Sequence, residues 1–89
     1  MNTETEIKDI LETAHLPGVQ DWRVSLGTDS TGDPAAYIIV VMADEEAQRA
    51  DFIANAQDIE RRIFDEFQSK NIDPWPYVRF RSQSEMAAE

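Results

Sequence analysis

The spacing of apolar residues changes several times along the chain, and each change marks an element. In residues 3–14, Ile7, Ile10, Leu11 and Ala14 recur at three- and four-residue steps, the period of an amphipathic helix. Thr3 and Glu6 precede that stripe with the spacing of a capping box. Pro17 and Gly18, just after His15 and Leu16, forbid its continuation. Residues 21–27 then alternate, with Trp22, Val24 and Leu26 on one face and Arg23 and Ser25 on the other, as a half-buried strand does. Residues 37–42, YIIVVM, are apolar throughout and rich in β-branched side chains. Such a strand must hide both faces or leave one of them apolar and exposed.

The polar stretch between these strands holds Asp29, Thr31, Gly32, Asp33 and Pro34. Carboxylates and hydroxyls are ligands for hard cations, so Asp29 and Asp33 are the candidates for a metal or phosphate site. The calcium-loop pattern of alternating ligands and a distant glutamate is not supplied here. A turn accounts for every residue: Gly32 for a positive φ, the aspartates for bonds to backbone two residues on, and Pro34 for extended geometry before it. The turn is therefore the expected reading.

Residues 44–70 read as one long helix opened by Asp44, Glu45 and Glu46, acids suited to the positive end of the helix dipole. Its expected buried stripe is Phe52, Ile53, Ala56, Ile59, Ile63 and Phe67. Asp58, Glu60, Arg61, Arg62, Asp65 and Glu66 form the solvated side. In WPYVRFRS the alternation returns, with Val78 and Phe80 on one face and Trp75, Tyr77, Arg79 and Arg81 on the other. Pro76 puts the start of this third strand at an edge or outside the ladder. Residues 82–89 read as a flexible tail after a single domain of residues 1–81. The order α-β-β-α-β is an α+β fold, a three-stranded sheet with both helices on one face. Nothing remains to cover the other face.

Composition narrows the function. A chain of 89 residues is one domain with a thin core. Its 18 acids and 8 bases give a formal charge of −10, which repels nucleic acid unless a concentrated basic patch exists and suits a basic protein partner. There is no cysteine, so thiolate chemistry, disulfides and most structural zinc sites drop out. His15 is the only histidine; it has no second histidine to form a relay with and is expected at a helix end. The cluster Asp44, Glu45 and Glu46 is expected to be an exposed helix start rather than acid-base machinery. No catalytic residue, metal or cofactor is expected, and no enzyme activity. The N-terminus lacks the basic-then-apolar order of a signal peptide, and the longest apolar run is too short to cross a bilayer, so a cytoplasmic protein is expected.

What remains is a surface. Arg23, Tyr37, Ile39, Val41, Trp75, Tyr77, Arg79 and Arg81 are expected to share the uncovered sheet face. Arginine and aromatic residues are enriched in protein interfaces, so the expectation is a protein partner, basic in character, or self-association as a dimer. The same interleaving of bases and aromatics occurs on single-stranded nucleic acid platforms, which makes a small RNA-binding module the alternative.

The pattern STGDPAAYIIVVM followed by WPYVRFRSQSE resembles a group of small uncharacterised bacterial proteins, over most of residues 22–85. That resemblance implies a partner of toxin-like or HEPN-domain proteins, in an antitoxin or accessory role, and transfers no catalytic residue. The element order is also similar to a KH-type arrangement, but the Gly-x-x-Gly clamp of such domains is absent, which argues against RNA binding.

Overall fold

The computed structural model describes residues 3–88. Helix α1 (Glu4–Thr13) begins as its sequence requires: the Glu6 N–H donates to the Thr3 hydroxyl, and the Thr3 N–H donates to the Glu6 carboxylate. Its buried residues are Ile7 and Leu11. His15 follows the helix in the left-handed region at φ 49°, exposed, with its N–H on the Glu12 carbonyl.

Strand β1 (Val19–Thr28) and strand β2 (Pro34–Met42) pair antiparallel, and β2 pairs parallel with β3 (Trp75–Ser82). The sheet order is β1-β2-β3, so the apolar strand is central and the other two are edges. This is the α+β architecture that the pattern predicts. Ala36, Ile38, Val40 and Met42 of β2 are fully buried and meet Ile7, Leu11, Trp22, Ile59, Ile63 and Phe67 in one core on the helical face. Each isoleucine, leucine, valine or methionine among them contributes about 1.5–3 kcal/mol by leaving water.

The expected long helix is broken. Helix α2 (Asp44–Ala47) is a single turn, and α3 (Phe52–Ser69) starts after a four-residue linker. No glycine or proline marks the break. Packing sets it: α2 follows β2 after only Ala43, and the chain must then swing so that Ile59, Ile63 and Phe67 face the sheet. The linker is held by Arg49, whose guanidinium meets Asp51 at 3.0 Å and Glu46 at 3.8 Å. Ile53, expected in the stripe, is 71% exposed. At 3.6 residues per turn it lies about 120° away from Ile59, whereas Phe52 falls in phase.

The end of the chain also differs from the tail expected there. Residues of the predicted tail form helix α4 (Gln83–Ala88). The Ser82 N–H donates to Glu85, the Glu85 N–H donates to the Ser82 hydroxyl, and Ser84 donates both its N–H and its hydroxyl to Asp44 at the start of α2. No helix among the described residues is long and apolar enough to cross a membrane.

Candidate interaction surface

Registers across the sheet place the open face row by row. Ile39 of β2 lies between Arg23 of β1 and Arg79 of β3; Val41 lies between Asp21 and Arg81; Tyr37 lies between Ser25 and Tyr77. Ala35 lies between Gly27 and Trp75. Strand alternation explains this grouping, since side chains two apart share a face. The structure thus brings Arg23, Tyr37, Ile39, Tyr77, Arg79 and Arg81 together.

Two of the expected residues behave differently. Val41 is only 4% exposed; α4 reaches β2 and β3, and its bonds to Asp44 hold it at this end of the sheet. Trp75 is exposed, but its ring meets Phe64 of α3 edge-on, with centroids 5.4 Å apart. As the first residue of an edge strand, its side chain can turn around the strand toward the helix. The accessible apolar centre is therefore Tyr37, Ile39 and Tyr77, narrower than the eight-residue surface expected.

The tyrosines stand against one another, with ring centroids 5.6 Å apart and planes 25° from parallel. Both lean toward the β1–β2 loop. The Tyr37 hydroxyl donates to the Thr28 carbonyl at 2.6 Å, and the Tyr77 hydroxyl donates to Asp29 at 3.1 Å. A Cβ at Gly27 would lie 3.4 Å from the Tyr37 ring, so the ring packs close against the β1 backbone there.

The loop itself is saturated internally. Asp29 Oδ1 accepts the Thr31 N–H, the Thr31 hydroxyl and the Asp33 N–H, while Oδ2 accepts Tyr77. The Thr31 hydroxyl, with the two backbone amides and Tyr77, holds the Asp29 carboxyl below its ordinary range. The bond to Asp29 conversely raises the Tyr77 phenol. Gly32 takes φ +85° with nothing near its missing Cβ. These bonds make the stretch a turn whose carboxylate oxygens are already engaged.

Charge is unevenly partnered. Lys8, Arg23, Arg49, Arg61, Arg62 and Lys70 each have a carboxylate within 4.0 Å. Among the described residues, Arg79 and Arg81 have none, although the chain has 18 acids for 8 bases. Glu85 feels the field of Arg81, but its carboxylate is committed to the Ser82 N–H. Most of the acid lies on the helices and loops; on this face Asp21 meets Arg23 at 3.4 Å.

Periodicity did not reveal three features: the Asp29–Tyr77 link, the α2–α3 linker and α4. Only α4 had a local signal, the Ser82-x-x-Glu85 spacing of a second capping box. Comparison of the chain with protein-family models, with curated proteins and with solved structures gives no match.

Proposed function

We propose that this chain is a protein-binding module, not an enzyme, and that it acts as an antitoxin-like or accessory partner seated through the open face of its sheet. The observation that carries this reading is the face itself: Tyr37 and Tyr77, each 40% exposed, and half-buried Ile39 lie beside three arginines, on the part of the face that α4 leaves open. Tyrosine and arginine supply much of the energy of protein interfaces. The acidic helical side has a separate part, drawing a basic protein toward the module at long range and speeding the encounter. A hetero-complex fits better than a face-to-face dimer, because self-pairing would crowd the three arginines of each copy together.

RNA binding fits this geometry less well. A base stacks on a free ring face, yet each tyrosine ring here spends one face on the other and has its hydroxyl tethered. The α2–α3 linker, Gln48-Arg49-Ala50-Asp51, has no glycine to let a nucleotide backbone approach. The test is affinity capture from the source cell with tagged wild type and Ile39→Asp, with circular dichroism confirming that the variant folds. A protein recovered with wild type and lost with the variant is the expected result. Equal recovery by both, or recovery of nucleic acid alone, overturns the reading.

A further inference from the structure

We infer that the segment the open face receives is an extended acidic stretch of a partner protein, laid along β3 with carboxylates at alternate positions facing Arg79 and Arg81. This rests on reading the face as protein-binding and adds which chemistry docks where. Arg79 and Arg81 are two residues apart on one strand face, hence about 6.6 Å apart along it. Acidic side chains two apart on an extended neighbour repeat at the same interval, so each guanidinium can take one carboxylate, the geometry arginine suits.

Three observations point to that occupant. The two arginines lack carboxylate partners among the described residues, in a chain rich in acid. β3 is an edge strand, and no loop, helix or side chain among the described residues bonds to the backbone of residues 76–81. Pro76 fits a strand with its nitrogen turned away from the ladder, which puts the amides of Val78 and Phe80 on the same outer edge, free to pair with an added strand. A second copy of β3 does not fit there, since arginines would stand beside arginines. Charged residues and proline also guard edges against aggregation, a role that needs no ligand and that the experiment separates from this one.

The experiment is a titration of the full ¹⁵N-labelled chain, read by amide and arginine side-chain resonances. The probe is the acetylated and amidated pentapeptide Glu-Val-Glu-Val-Glu. Saturable shifts of Val78, Phe80, Arg79 and Arg81 are expected, weakening at least about tenfold with the glutamine counterpart of the peptide. The Arg79→Gln, Arg81→Gln double variant should weaken them to the same degree. Four results overturn the inference: no β3 shift at about millimolar peptide, equal binding of the glutamine peptide, equal binding of a lysine counterpart, or saturable binding of octauridylate where the peptide gives none. If the peptide fails while Ile39→Asp still abolishes capture of a partner, this inference falls and the protein-binding reading stands.

Discussion

Single side chains fix the loop, the cap and the helix phase. Asp29 organises residues 29–33 through its three bonds to Oδ1 and joins them to the sheet through Tyr77. Asp29 is held low, so its stabilising effect is full above the ordinary carboxylate range of about 4 and disappears as pH falls through its lowered value. Tyr77 is held high, so its bond persists below the ordinary phenol value near 10 and is lost as pH rises through the raised one. Asp29→Asn should therefore lower the urea midpoint of unfolding at neutral pH, and the gap from wild type should close in acid below the lowered value. An unchanged gap across that range would contradict this role. At the other end of the sheet-facing layer, Thr3→Ala removes half of the α1 capping box and should cost about 1 kcal/mol by the same measurement.

At the scale of elements, α3 shows how much packing depends on phase. Ile63 is fully buried and Ile53 is 71% exposed, ten residues earlier on the same helix. Ile63→Ala should cost about 2–5 kcal/mol, whereas Ile53→Ala should stay within about 0.5 kcal/mol, both by urea denaturation. Comparable losses would mean that the helix turns differently. The elements were legible where local signals agreed: the capped first helix, the alternation of β1 and β3, and the doubly apolar β2. The break at residues 48–51 was not, because no Gly or Pro announces it and only the need to recross the sheet imposes it. Helix α4 was missed although Ser82 and Glu85 carry a cap signature, since six residues give too little apolar periodicity to be noticed. Trp75 left the expected surface because strand alternation ignores a ring's freedom to turn around an edge toward Phe64.

For the whole molecule, the decisive feature is the asymmetry between two sides. Helices α1 and α3 bury one face of the sheet, and most of the acid lies on helices and loops; the other face, covered by α4 only at its Val41 end, keeps Tyr37, Ile39 and Tyr77 accessible beside Arg23, Arg79 and Arg81. The sequence patterns implied that layering, while the pairing of charges, which singles out Arg79 and Arg81, depended on distances no spacing rule supplies. The most direct test is calorimetric titration of the captured partner with wild type, Ile39→Asp and Ile53→Asp, the last placing the same new charge on the helical side. An aspartate at residue 39 removes the apolar centre of the face and stands between Arg23 and Arg79, taking up guanidinium groups that a partner would otherwise meet, so Ile39→Asp should weaken binding at least about thirtyfold, roughly 2 kcal/mol, with Ile53→Asp near wild type. Wild-type affinity for Ile39→Asp, or loss of binding through Ile53→Asp instead, would place the interface elsewhere and contradict the account.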